Sequence, residues 1–415
     1  MKNPKILIHL VMVLVQVAFG TVECTGQEYP SENEMSVIDT SEGTKDQAAW
    51  IDWPQLYGNP EHNNFREQKN EIVCPKILWR VDYSDIPAVV GNDVYAGGQA
   101  LRLIDFRTGK VKASFKTQDM TEQINFKGTP VVLPDRVIAH GSDDLIYALT
   151  RDLSKVIWSQ ETWGIGWSSG VSNGDLFIVG ADKWLVAIDV SSGKIRWQRG
   201  FPSEIVMTPA LADGKVLFGT WARKFYAYDL DGNELWCHRG KHSFGFTDPA
   251  VAFGKVFVGD RGGMVNALDL DDGSLIWKYK SGSVGLSIPG VGKGCIFVGF
   301  GKVVVILDEM TGEPDPRERL FRTGLNPFGT PTLVEDTLYF GNLDGHLYAF
   351  DFKTGRYKWS FEVSTGKNKQ VYDFVYHKGC LLVSTGAGLY ALGNDPEKKE
   401  LPHNFVLPDD LNNEQ

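Results

Sequence analysis

His238 and His242, four residues apart with Asp248 downstream, are residue types that could hold a metal. A zinc centre takes four nitrogen, sulfur or oxygen ligands at defined spacing, and this stretch offers no obvious fourth. Asp229-Leu230-Asp231-Gly232-Asn233-Glu234 reads locally like a calcium loop, but Gly240 stands where such a loop needs its bidentate Glu. No two of the five cysteines are adjacent or spaced as Cys-x-x-Cys, so neither a thiolate metal site nor a redox pair is encoded. No Gly-x-Ser-x-Gly elbow or phosphate loop rises above chance. Carboxylates are plentiful, yet spacing locates no catalytic pair among them. The residues therefore assign no catalytic, metal or cofactor-binding position.

Aromatic residues are placed more unevenly than ionisable ones. Thr162-Trp163-Gly164-Ile165-Gly166-Trp167, Phe244-Gly245-Phe246 and Trp221 fall in segments that punctuation by Gly marks as connections. Connections normally carry polar side chains, so aromatics there either cap the structure or form a contact surface. Trp163, Trp167, Trp221, Phe244 and Phe246 are the candidate partner-binding residues.

The elements that must position them repeat with a period of about 40 residues, displayed by Trp158, Trp197, Trp236 and Trp277. Each repeat holds a short alternating apolar run, such as Lys215-Val-Leu-Phe or Lys255-Val-Phe-Val, and no helical period appears. A second run ends in Ala-x-Asp: Ala187-Ile188-Asp189, Ala227-Tyr228-Asp229, Ala267-Leu268-Asp269 and Ala349-Phe350-Asp351. A turn and a third, Trp-bearing run follow. With the segment that opens each repeat, often at Pro130, Pro209, Pro249, Pro289 or Pro331, four strands result, as in a propeller blade. Blades are predicted at 88–115, 130–158, 170–197, 209–236, 249–277, 289–321 and 331–359, with three further strands over 374–392. Ile77-Leu78-Trp79-Arg80-Val81 supplies the missing outer strand, closing an all-β ring of eight blades with its N- and C-terminal segments paired.

Ala187-Ile-Asp-Val-Ser-Ser-Gly-Lys-Ile-Arg-Trp197 resembles the Ala-x-Asp-x-x-Thr-Gly-x-x-x-Trp docking motif of pyrroloquinoline-quinone-type propellers, with near copies from Ala267 to Trp277 and Ala349 to Trp359. Asp accepts from backbone amides two residues on and Gly takes positive φ, so the motif makes a tight turn. The Trp then docks the neighbouring blade. Ala113, Pro316 and Thr150 depart from the pattern, predicting looser docking there. The resemblance covers about residues 50 to 392, including the opening Trp53-Pro54-Gln55-Leu56-Tyr57-Gly58-Asn59. It implies one of two functions. Quinoprotein dehydrogenases hold pyrroloquinoline quinone and calcium in the central channel and oxidise small alcohols or sugars. BamB-like exported propellers use the same ring, without cofactor, as a protein-binding scaffold. The missing Cys-Cys pair and the short chain favour the scaffold.

The ends set the compartment. Lys2 and Lys5, the apolar run Ile6 to Phe19 and the triplet Ala18-Phe19-Gly20 read as a cleaved signal peptide over 1–20. Residues 21–49 carry seven acidic residues and one lysine, the composition of a solvated linker. The ring spans 50–393, and 394–415 is a polar tail. Cys24 is the residue through which acylation would give peripheral membrane association, although Val22 and Glu23 stand where a lipidation signal places small residues. The net charge of −10 repels nucleic acid at long range. An exported, periplasmic or envelope monomer with a protein or peptide partner is expected.

Overall fold

The computed structural model describes residues 54–59, 61–62, 65–66, 71–82, 85–116, 125–162, 164, 168–245, 247–282, 287–315, 321–323 and 325–397. The expected signal peptide, acidic linker and most of the polar tail lie outside the described residues. The described residues form strands and no helix, arranged as eight sheets that each hold four antiparallel blade strands in a propeller ring.

Blades one to seven are consecutive, running from Ala88–Phe115 through Phe126–Glu161, Val171–Gly200, Ala210–Arg239, Ala250–Lys280 and Gly290–Arg322 to Pro327–Glu362. The eighth is composite. Strands Val371–His377, Cys380–Thr385 and Gly388–Asn394 are completed by Pro75–Asp82, with Trp79 opposite Ala391 and Asp82 opposite Gly388. Pairing the ends closes the ring and leaves no open edge on its last three strands.

Each second strand is buried beyond its first residue because both its faces meet another blade. Phe218 and Tyr226 of blade four pack with Ile178 and Trp197 of blade three, and Leu217 and Phe225 pack with Val256 and Val258 of blade five. This explains the near-continuous apolar runs of the sequence. The core is a belt of interblade layers. Cys380 fills one such buried position, Cys295 is half-buried at the start of its strand, and Cys74 and Cys237 are free thiols.

The repeated motif works across blades. In blade three Asp189 Oδ1 accepts from Ser192 N at 2.9 Å, and Gly193 takes a φ of 73°. The outer-strand indoles of Trp79, Trp158, Trp197, Trp236, Trp277 and Trp359 donate to Phe106, Val190, Leu230, Leu270, Glu309 and Ile72 carbonyls at 2.6–3.1 Å. Each acceptor belongs to the next blade, or for Trp359 to the segment entering the closing strand. The indole also lies flat on the next blade's turn glycine: a Cβ on Gly232 would sit 2.6 Å from Trp197 Cδ2.

At the joint of blades one and two the motif and its partner turn depart together, whereas blade seven keeps its Asp351-x-x-Thr354-Gly355 turn although Pro316 replaces the indole that would face it. Ala113 puts no indole on the turn of blade two, and there Leu153 occupies the positive-φ position at 60°. Phe115, Phe126 and Tyr147 fill that joint instead, with ring centroids 5.5–5.9 Å apart, and Tyr95 Oη donates to the Arg151 carbonyl at 3.0 Å. Phe321 against Phe350, at 4.5 Å, helps join blade six to blade seven.

Candidate functional site

Two places bring chemistry-bearing side chains together: the central channel and the ring face that carries the links between blades.

The channel is crossed by the chain itself. Val132 N of blade two donates to the Pro54 carbonyl at 2.7 Å, and Ser172 N of blade three donates to Gln55 Oε1 at 3.0 Å. Val251 N of blade five donates to the Glu61 carbonyl at 2.8 Å, and His62 Nδ1 lies 3.0 Å from the Pro249 carbonyl. Phe65–Arg66 then pairs in parallel with the inner strand Pro327–Val334 of blade seven. The described residues between 54 and 66 thus form a strap bonded to inner strands around the ring. Gln55, Leu56, Tyr57 and His62 are buried within it.

Tyr57 reaches furthest in. Its hydroxyl donates to Asp248 Oδ2 at 2.9 Å, and it lies within electrostatic reach of Asp373 and hydrogen-bonding range of Thr330. Burial first, and then the two carboxylates, push the phenol well above its ordinary range. Burial likewise raises Asp248 to about 6 and Asp373 to about 7. His62 is driven the other way, to about 3, because the imidazolium is the form burial disfavours.

Asp248 and Asp373 also belong to a belt at the blade entrances. Thr129 N donates to Ser169 Oγ at 2.9 Å, Ser169 N to Thr208 Oγ1 at 3.1 Å and Thr208 N to Asp248 Oδ1 at 2.8 Å. Thr330 Oγ1 donates to Asp373 Oδ2 at 3.3 Å. From blade two to blade five, and from seven to eight, each entry residue thus satisfies the one before it, and Ile288 interrupts the series in blade six. The sequence carries a trace of this belt in the Thr-Pro and Asp-Pro steps that open inner strands. Gly166-Trp167-Ser168-Ser169-Gly170 has nucleophile-elbow spacing, but buried Ser168 Oγ donates to the Gly180 carbonyl at 3.0 Å and Ser169 serves the belt.

A quinone and calcium, implied by one branch of the resemblance, do not fit these residues. Asp248 and Asp373 are engaged by Tyr57, Thr208 and Thr330, and among the described residues no three His, Cys, Asp or Glu side chains gather as a metal set. His238 Nδ1 faces the Gly273 carbonyl at 3.2 Å, which makes it an interblade contact.

The link face is the other site. Links and the turns joining second to third strands lie side by side there, as chain direction predicts: Trp221 N donates to the Glu204 carbonyl at 3.2 Å and Arg261 N to the Ser243 carbonyl at 2.9 Å. Trp221 is half-buried, close against Gly245, with the Arg261 guanidinium 4.6 Å from its ring centroid. Phe244, expected as a contact aromatic, is instead completely buried, edge-on to Phe225 at 5.7 Å and close against Gly219 and Gly240. Its apolar ring is the hydrophobic anchor of the link, so it belongs to the core. Trp163, Trp167 and Phe246 lie outside the described residues.

One exposed aromatic pair escaped sequence reasoning. Phe328 and Tyr372, 49% and 41% exposed, sit 6.2 Å apart where the inner strands of blades seven and eight begin, with Leu325 beside them in sequence. Phe328 is paired with Gly341 and Val371 with Thr385, at the link-face ends of the second strands. The available signal was alternation: Val371 and Asp373 point inward, so Tyr372 between them points out.

Four-stranded blades locked by an outer indole over the next blade's turn define an eight-bladed propeller of the quinoprotein-repeat class. Residues 142–285 and 263–393 match the family model described as Outer membrane protein assembly factor BamB, and the chain belongs to that family. Among curated proteins none matches the sequence. Similar solved structures include BamB from Moraxella catarrhalis, at 15% identity and TM-score 0.63, covering 79% of this chain and 99% of that one. A europium-containing methanol dehydrogenase aligns at 12% identity and TM-score 0.67, covering 81% and 90%. The computationally designed Ika8 protein aligns at 14% identity and TM-score 0.64, covering 80% and 99%. These likenesses concern the fold, which scaffolds and dehydrogenases share.

Proposed function

We propose that the protein is an exported, cell-envelope scaffold that captures a protein or peptide partner on the link face of its ring. The strap supports this reading: a segment bonded to inner strands of blades two, three, five and seven engages the channel carboxylate Asp248 through Tyr57. Partner contacts then fall to the ring face, where Trp221 on blade four offers one aromatic anchor and Phe328 and Tyr372 on blades seven and eight another, with Trp163, Trp167 and Phe246 as further candidates from the sequence. The protein acts as a monomer without cofactor.

The rival reading is a quinone-dependent dehydrogenase for a small alcohol or sugar. Adding pyrroloquinoline quinone and calcium to purified protein separates the two. No bound chromophore and no dye reduction are expected, and stoichiometric uptake with turnover overturns the scaffold. In envelope pull-downs, replacing Trp163 and Trp167 together by Ala is expected to weaken capture by at least about 2 kcal/mol without lowering the melting temperature. Unchanged capture returns both residues to a structural role.

A further inference from the structure

The link face of blades four to six is basic, and the lysines of the opposite face, Lys215, Lys255 and Lys293, are neutralised in ion pairs with Asp271, Glu309 and Asp336. On the link face Arg223, Lys241, Arg261, Lys280 and Lys302 are all exposed. Backbone bonds hold their segments together: Gly240 N donates to the Arg223 carbonyl at 2.9 Å, Ser281 N to the Gly263 carbonyl at 2.9 Å and Thr323 N to the Lys302 carbonyl at 2.8 Å. Among the described residues none of Arg223, Lys241, Lys280 and Lys302 makes an ion pair. The acids nearby are few. Glu204 is exposed, and Asp260 is buried with Oδ1 accepting from Gly262 N at 2.8 Å and Met264 N at 3.1 Å. The opposite face of the same blades presents exposed Asp231, Glu234, Asp271, Asp272, Asp308 and Glu313.

A cationic cluster on a chain of net charge −10 is no by-product of composition. Trp221, on the blade-four side of this arc, is an apolar seat with one cation stacked on it. We infer that blades four to six of the link face bind an extended, carboxylate-rich segment of a partner protein, its acidic side chains on the Arg and Lys rim and an apolar side chain on Trp221. The inference rests on the scaffold reading and names the chemistry of its partner. A long polyanion such as nucleic acid is disfavoured, because the basic arc is short and the remaining field is negative.

The test is fluorescence anisotropy with a labelled peptide of about a dozen residues, rich in Glu and carrying one Phe, beside its counterpart with every Glu changed to Gln. The Glu peptide is expected to bind, to weaken steeply with salt, and to lose about tenfold or more in affinity to Lys241→Glu/Lys280→Glu and to Trp221→Ala. Asp231→Lys/Asp272→Lys on the other face should not weaken it. Thermal melts matching the wild type confirm that the variants fold. Equal binding of the Gln peptide, or indifference to the charge reversal, overturns the inference. So does displacement of the peptide by an equally long single-stranded oligothymidylate or by phosphatidylglycerol vesicles at lower concentration. If the peptide fails while Trp163 and Trp167 still govern envelope capture, the acidic chemistry is wrong and the scaffold stands.

Discussion

Trp197 and Arg196 are neighbours on one outer strand with opposite duties. The indole is 7% exposed and donates to Leu230 across the blade boundary at 2.7 Å, whereas Arg196 reaches back to Asp189 at 2.6 Å with half its side chain in water. Trp197→Ala is therefore expected to cost about 3–5 kcal/mol. Arg196→Ala should cost less than about 1 kcal/mol. Urea melts of the two variants check the contrast, and equal small effects remove the docking role. The channel carboxylates give a second expectation. Asp373 and Asp248 titrate in the fold near 7 and 6, above the ordinary 3.8, so the fold favours their protonated forms. Their contribution is complete below about pH 4 and is lost as pH rises to about 7. His62, lowered to about 3, acts in the opposite sense, adding stability as pH climbs towards 6.5. Comparison with Asp373→Asn isolates one group: wild type should lose on the order of 1–3 kcal/mol relative to the variant between pH 4 and 8. A constant difference in melting temperature across that range contradicts the assignment.

At the scale of elements, an outer strand and the following blade's turn behave as one unit. Gly232 lies in left-handed backbone, φ 80°, directly beneath the Trp197 indole. Gly232→Ala carries about 1–2 kcal/mol of backbone strain and a clash with the ring in addition. Removing the indole relieves the clash and leaves the strain. A double-mutant cycle with Trp197→Ala should therefore be sub-additive by at least about 1 kcal/mol in chemical denaturation. Strict additivity would mean that strand and turn are uncoupled.

For the whole molecule, the order of the chain ends makes closure and plugging separable. Deleting residues 1–66 removes the strap but keeps Pro75–Asp82, so the ring should still close and run as a monomer on size exclusion, with a lower melting temperature. Deleting residues 1–84 strips the outer strand from blade eight and bares the edge of Gly388–Asn394. That protein should aggregate, since an exposed apolar edge pairs with other chains. Identical behaviour of the two deletions would show that closure does not depend on the paired ends.

The sequence by itself determined the eight blades, their boundaries to within a few residues and the assignment of Trp79 to the last sheet. Each of these rests on a local pattern that recurs: strand alternation, an Asp-x-x-Ser/Thr-Gly turn, an indole at constant spacing. Repetition averages away the ambiguity of any single copy. Non-recurring contacts were not legible. Tyr57 and Asp248 are separated by 191 residues and each occurs once, so no period announces that they meet. Phe244 and Trp221 look alike in the chain, as aromatics in connecting segments. Only the closed ring decides that one side chain drops between blades while the other stays half in water beneath Arg261. The charge polarity has the same origin. Arg223, Arg261 and Lys302 stand in turns between second and third strands and Asp231, Asp271, Asp272 and Glu313 follow third strands, and the up-and-down path of each blade puts those consecutive turns on opposite faces.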